Sequence, residues 1–390
     1  MPTAVLEQRD VTRDDLDGVI HLRARSFGPM QPGDREEWLR TAGEFCDGRR
    51  FLGLFDGQTL VAAARIWDFQ QWWCGRPVPM AGVAGVMVAP EHRGRGVATR
   101  LMRGVMDRAR ELGFALSALY PATVPIYRSL GYEFGGARYR FSFGAPALRA
   151  LTGARGRLRE GAPGDVARLL ELVAQVRGDG RESGMLGWGE KAVAEWLGED
   201  GTFCYLADDG FVVYAWEGRD LCVNELVAES EPTARALWAT VGSGSSIART
   251  VLAYLSPQDP IHLMLDDEAD HTAHIERWML RLLDPRAAMA GRGWPAGDLD
   301  VPVEIDDPQV PDASGSWRLQ VSGSSGQLVE QVEEARDALR LNARGLAGLY
   351  AGTPLAALRR AGLADGGRAA DDALLDNAFS GPTPYMLDYF

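Results

Sequence analysis

The chain has 390 residues, of which 46% are hydrophobic and 24% charged, and its formal net charge is −13. That length divides into two or three domains, each large enough for a core of its own. The acidic balance argues against nucleic acid as the main partner, because neutralising phosphates needs a basic surface, and it favours a cationic one. No segment approaches the ~20 apolar residues of a membrane span, and Met1 to Arg13 holds no apolar leader-like run, so a cytoplasmic location is expected. Cys46, Cys74, Cys204 and Cys222 are scattered without metal-site spacing and read as reduced, mostly buried thiols. His271 and His274 lie near Glu276, yet such pairs are commonly surface residues; no metal is expected.

Taken in chain order, residues 1–145 alternate strands and helices. Val5–Val11 reads as a strand, and Thr12 is placed to cap a helix bearing Leu16, Val19, Ile20 and Phe27. Phe51–Phe55 and Leu60–Phe69 flank Asp56-Gly57, a hairpin signal. Val78–Val88 is a long strand that leads into Arg93-Gly94-Arg95-Gly96-Val97-Ala98. The helix after it carries apolar side chains at Val97, Leu101, Val105, Ala109 and Leu112, with Gly113 at its C′ position. Leu116–Leu119 is the next strand, Pro125–Leu130 a short helix and Tyr132–Phe143 a final hairpin.

The Gly, Ala and Arg of 145–164 mark a boundary, after which the theme repeats. Residues 146–285 contain a helix from Asp165 to Arg177, strands Phe203–Ala207 and Phe211–Glu217 about Asp209-Gly210, a strand Leu221–Ala228 and a helix near Ala234–Val241. Residues 286–390 form a third region. Val301–Ile305, Ser316–Ser322 and Gly326–Gln331 read as an antiparallel sheet; Leu346–Leu349, Pro354–Ala361 and Asp371–Phe379 read as helices. Pro382 and Pro384 stop the last helix and leave Tyr385 to Phe390 as an extended tail.

Strand, glycine-rich loop and helix in immediate succession make a phosphate cradle. The first N–H groups of the helix lack intrahelical acceptors and its dipole is positive there, so a pyrophosphate can lie along Arg93 to Ala98. Gly94, Gly96 and Ala98 permit close approach, and Arg93 and Arg95 add charge. The spacing is neither the dinucleotide G-x-G-x-x-G nor the P-loop ending. It resembles the Gln/Arg-x-x-Gly-x-Gly/Ala signature of the Gcn5-related N-acetyltransferases, with Arg93, Gly96 and Ala98 on the fixed positions. The resemblance implies acetyl-coenzyme A as acyl donor, with backbone groups of Val86 and Val88 offered to its pantetheine arm. No such loop occurs between Val227 and Leu237, so the second unit is expected to be a cofactor-free copy.

Two such units followed by a domain similar to sterol carrier proteins resemble the enhanced-intracellular-survival family. The marks are the Arg93 loop, Ile126 to Tyr132, Leu339 to Ala347 and the terminal aromatic residue. The resemblance implies an α/β (α+β) fold: an acetyl-CoA-binding domain over 1–145, a second acetyltransferase-like domain over 146–285 and a sterol-carrier-protein-like domain over 286–390. It also implies acetylation of primary amines of aminoglycoside- or polyamine-like cations, a homohexamer of two trimers, Tyr127 as general acid and the terminal carboxylate of Phe390 as base.

An α-carboxyl titrates near ~3.5 and cannot strip a ground-state alkylammonium near ~10, but it can accept the far more acidic proton that follows attack. A phenol near ~10 would donate to a thiolate near ~8.5 uphill by roughly 2 kcal/mol, a cost a strengthening hydrogen bond can offset. Phe27, Trp38 and Glu37, with Asp34 and Glu36, lie where the family builds its amine pocket, and Asp388 is placed to add negative charge. The rival readings are a protein lysine acetyltransferase and a lipid or small-molecule carrier built on the third domain.

Overall fold

The computed structural model describes residues 6–31, 33–151, 158–265, 273–331 and 335–390. Val5, His271 and residues 152–157 of the boundary segment lie outside the described residues.

The first unit runs β1 (Glu7–Asp10), α1 (Leu16–Phe27), α2 (Asp34–Asp47), β2 (Phe51–Asp56), β3 (Thr59–Trp73), β4 (Arg76–Val88), α3 (Val97–Glu111), β5 (Leu116–Leu119), α4 (Val124–Ser129) and β6 (Glu133–Gly144). The second follows with α5 (Ala145–Arg149), β7 (Arg159–Glu160), α6 (Val166–Asp179), β8 (Leu186–Gly187), α7 (Glu190–Leu197), β9 (Thr202–Ala207), β10 (Gly210–Glu217), β11 (Asp220–Ala228), α8 (Glu231–Gly242), β12 (Thr250–Tyr254), α9 (Ile261–Met264) and β13 (His274–Leu282). The third holds α10 (Pro285–Gly291), β14 (Leu299–Asp306), β15 (Gly315–Ser322), β16 (Ser325–Glu330), β17 (Leu339–Asn342), α11 (Ala343–Tyr350), α12 (Leu355–Arg360), β18 (Ala364–Gly366), α13 (Ala369–Phe379) and β19 (Tyr385–Met386).

The hairpin expected about Asp56-Gly57 joins β2 to β3, and β3 then turns into β4 at Cys74-Gly75, where both residues have positive φ (49° and 80°). Two such residues make the primed turn whose twist matches the strands. The hairpin expected over Tyr132–Phe143 is instead the single strand β6. Its Gly135-Gly136 pair makes no turn: a Cβ at either position would come within 2.4–2.6 Å of the Trp278 ring, so these glycines clear space for a tryptophan. That tryptophan belongs to β13, which inserts between β5 and β6 and pairs antiparallel with both. The far half of β6 pairs with β12, so one sheet in the order β1-β2-β3-β4-β5-β13-β6-β12-β11-β10-β9-β7 runs through both units.

The third unit is a five-stranded sheet, β16-β15-β14-β17-β18. It is antiparallel except for β14 beside β17, a parallel pair the sequence pattern did not reveal. Its core is continuous with that of the first unit, since Trp73, Val78 and Met80 cluster with Leu341, Leu349 and Phe379. The junction is also held by charge. The buried Arg281 guanidinium pairs with Asp307 and donates to the Leu130 carbonyl at 3.0 Å, and Arg344 of α11 bonds Glu133 of β6. Removing one partner of such a buried pair costs about 3–5 kcal/mol, because it strands the other charge. Among the described residues no helix is long and apolar enough to cross a membrane.

Candidate active site

β4 pairs with β3 over nearly its whole length but with β5 only through Met80–Gly82. From Val83 to Val88 it therefore runs on with its β5-facing edge unpaired. A bulge interrupts this stretch: Met87 opposes Ala63 and Ala84 opposes Arg65, leaving Gly85 (φ 60°) and Val86 across from Ala64 alone. A bulge re-aims backbone groups, and here it does so at the free edge. Val86 and Val88 are half-buried.

The edge leads into Arg93 to Ala98. Gly94 and Gly96 have φ of 71° and 74°, and an added Cβ at either would meet nothing within 4 Å, so the loop presents bare backbone outward. Arg100 N–H donates to the Gly96 carbonyl at 3.0 Å; the N–H groups before it have no intrahelical acceptor. No acidic residue stands in the first turn of α3. Arg93 Nε ties back to the Val88 carbonyl at 3.1 Å, while Arg93 and Arg95 are exposed. The corresponding junction in the second unit is built in the opposite sense. Ser230 Oγ accepts from Thr233 N–H, Asp209 takes hydrogen bonds from the hydroxyls of Ser230 and Thr233, and Glu231 opens α8. That helix start is satisfied internally and acidic.

The tail docks on the first unit. Tyr385 and Met386 pair in parallel with Ala137 and Arg138 of β6. Arg138 Nε donates to the Leu387 carbonyl at 2.9 Å, Tyr120 Oη to the Asp388 carbonyl at 2.7 Å, and Trp188 Nε1 to Asp388 Oδ1 at 3.0 Å. The Phe390 ring lies 5.2 Å from that of Phe69 and 5.7 Å from that of Tyr120. It also lies over Gly82, where a Cβ would sit 2.9 Å from Phe390 Cε2, so this close approach needs glycine. Burial, reinforced by Glu225, pushes the Asp388 carboxyl up to about 6 against the pull of Arg177 and the Trp188 hydrogen bond.

Tyr127 is buried on α4, edge-on to Tyr132 at 6.1 Å, and burial raises its phenol. Among the described residues it makes no hydrogen bond or ring contact with the tail, so the structure does not bring these two candidates into touch. Tyr132 bonds Ser117 Oγ at 2.8 Å inside the core, and burial takes it to about 12. Trp38 is half-buried against the first core, whereas Phe27 is 58% exposed and Glu37 lies on the solvent face of α2 with Asp34 and Glu36. Sequence reasoning missed Tyr120, Arg138 and Trp188, which hold the tail, and Phe69, which receives it. Only Tyr120 carried a signal, as an aromatic directly after the strand that parts from β4.

The fold and this geometry define a class: an acyltransferase domain with a groove between parting strands, a second domain of the same pattern and an appended sterol-carrier-like sheet. Comparison with known proteins agrees. Residues 7–135 and 185–282 match acetyltransferase (GNAT) domain families, and 285–387 match a sterol carrier protein domain. A solved GCN5-related N-acetyltransferase from Kribbella flavida is 59% identical, with a TM-score of 0.97 over 99% of this chain and 98% of that one. An uncharacterized N-acetyltransferase of Streptomyces coelicolor is 29% identical over 89% of this chain and 90% of its own. N-acetyltransferase Eis of Mycobacterium tuberculosis is 26% identical over 97% of this chain and 98% of its own. The chain belongs to the GCN5-related N-acetyltransferases, as an Eis-like member.

Proposed function

We propose that the chain transfers the acetyl group of acetyl-CoA to a primary amine of a small molecule, with the amine brought to the β4 edge beside the docked tail. The observation that carries this reading is the continuity of the free β4 edge with the acid-free N-terminus of α3. A pyrophosphate needs the second and a pantetheine amide the first, and the bare glycine loop between them fits that donor. In this reading Arg93, Gly94, Arg95, Gly96 and Ala98 hold the pyrophosphate, and Val86 and Val88 pair with the pantetheine arm. Backbone N–H groups re-aimed by the bulge stabilise the charge that develops on the thioester oxygen.

The carboxylate of Phe390 holds the ammonium before reaction and accepts the proton that attack makes acidic. Tyr127 hydrogen-bonds the departing sulfur. Its raised phenol stays protonated at neutral pH and is a poor full donor to a thiolate, so its contribution is a hydrogen bond that strengthens as sulfur gains charge. An aminoglycoside- or polyamine-like acceptor is the form of this reading that the net charge of −13 and the acidic tail favour. A hexamer, as the family resemblance implies, is the expected assembly and is read by light scattering. The test is release of free CoA from acetyl-CoA with a panel of monoamines, polyamines, aminoglycosides and lysine peptides. Turnover confined to the peptides would move the reading to protein acetylation, and turnover with none would remove it.

A further inference from the structure

The mechanism above leaves unused a group of hydrogen-bond donors on the α1–α2 side of β3. Arg65 is half-buried on β3. Its guanidinium lies over Phe45 of α2 at 5.4 Å and beside the Trp67 ring at 6.0 Å. Its Nε would sit 3.5 Å from a Cβ on Gly85, which puts the guanidinium against the bulge of β4. Among the described residues Arg65 makes no hydrogen bond and no ion pair. Burial lowers its proton affinity, and the charge of another cation, Arg23 of α1, lowers it further. Among the described residues Arg23 itself bonds only a backbone carbonyl, that of Gly28 at 3.2 Å.

Among the described residues two buried polar atoms beside these groups also lack partners: the indole Nε1 of Trp67, two residues along β3, and the hydroxyl of Ser26, one helical turn beyond Arg23. An indole N–H and a guanidinium can only donate. A partly buried cation without a counter-ion is costly, and so is an orphaned indole, unless something arrives to accept from both. The acidic side chains of the neighbourhood do not fill the role, since Asp34, Glu36 and Glu37 are exposed on the first turn of α2.

The position relative to the tail follows from the register. Trp67 opposes Gly82, over which Phe390 lies, and Arg65 opposes Ala84, one strand repeat further along. Two residues of strand span about 7 Å. The stacked pair Trp67 and Phe69, 5.7 Å apart at 6°, lines the interval with aromatic surface.

We propose that Arg65, backed by Arg23 and Trp67 Nε1, binds a carboxylate of the acceptor, so that the preferred substrate is an amine carrying a carboxylate several bonds away, with an apolar spacer along Trp67 and Phe69. This rests on the acetyltransferase reading of a primary-amine acceptor and puts an amino acid-like molecule in place of the polycation.

The test compares aminocaproate, its neutral primary amide and the diamine of matching length, by CoA release and, separately, by calorimetric binding without acetyl-CoA. Wild type should use and bind aminocaproate about tenfold or more better than the amide, the scale of a hydrogen bond to a charged group. In Arg65→Gln this ratio should fall to near one, and Arg65→Lys should keep part of it. Equal handling of acid and amide by wild type, preference for the diamine, or a ratio that Arg65→Gln leaves intact overturns the proposal. If no amine turns over, the acetyltransferase reading fails, while the binding ratio still decides whether Arg65 selects a carboxylate.

Discussion

Deleting Phe390 separates the chemistry of the tail from its stability. The segment is anchored upstream by the Tyr385–Met386 pairing with β6, by the Leu387 carbonyl on Arg138 and by the Asp388 carbonyl on Tyr120. None of these contacts involves residue 390. The deletion removes two ring contacts, with Phe69 and Tyr120, worth about 0.5–1.5 kcal/mol each beyond the apolar area they cover, and the burial of a half-exposed ring, worth about 1 kcal/mol more. In a protein of this size that shifts the melting temperature by a few degrees. The carboxylate meanwhile retreats by one residue, up to ~3.5 Å, well beyond hydrogen-bond reach of an amine it previously met. If it serves as base, kcat should fall by ~10²-fold or more. Thiol-reagent detection of CoA gives the rate, and scanning fluorimetry gives the stability. A chain extended beyond Phe390 keeps both rings but turns the carboxylate into an amide, and should lose comparable activity at unchanged stability. Full activity in both variants would falsify the terminal-base assignment and direct attention to Asp388.

Four further outcomes are expected. Tyr127→Phe should lower kcat by ~10²-fold with the KM for acetyl-CoA little changed, and near-normal turnover would return this residue to a packing role. Arg93→Ala should raise the KM for acetyl-CoA while circular dichroism stays native; an unchanged KM would remove it from the pyrophosphate site. Calorimetric titration should find one CoA site per chain, since the start of α8 is capped by Ser230 and made acidic by Glu231, and two sites of similar affinity would contradict that. Asp388 titrates near 3.8 when unfolded and about 6 when folded, so the folded state binds its proton more tightly. This group therefore stabilises the fold least above pH 6, and its destabilisation develops as pH rises from about 4 to about 6. Asp388→Asn should accordingly gain in melting temperature over wild type across that window; a difference independent of pH would refute the burial argument.

The local elements and the glycine-rich loop before α3 were legible because they rest on short-range physics. Gly96 to Leu112 carries a helical apolar period, Asp56-Gly57 a turn signal, and Arg93 to Ala98 a spacing whose N–H groups are free in any helix that starts there. What the sequence concealed depends on partners remote along the chain. Tyr132–Phe143 reads as a hairpin until Trp278, more than a hundred residues later, is laid across Gly135-Gly136, and β13 becomes a strand of the first sheet only by inserting between β5 and β6. The tail was visible as an extended apolar segment, but its destination was not. Only packing decides that Gly82 leaves room for Phe390, that Tyr120 and Arg138 meet its carbonyls, and that Arg65 is left beside Phe45 and Trp67 with no acceptor of its own. Local propensity follows from neighbours a few residues apart, whereas a site assembled from α1, β3, β4, β6 and the last six residues exists only once the sheet has fixed their register.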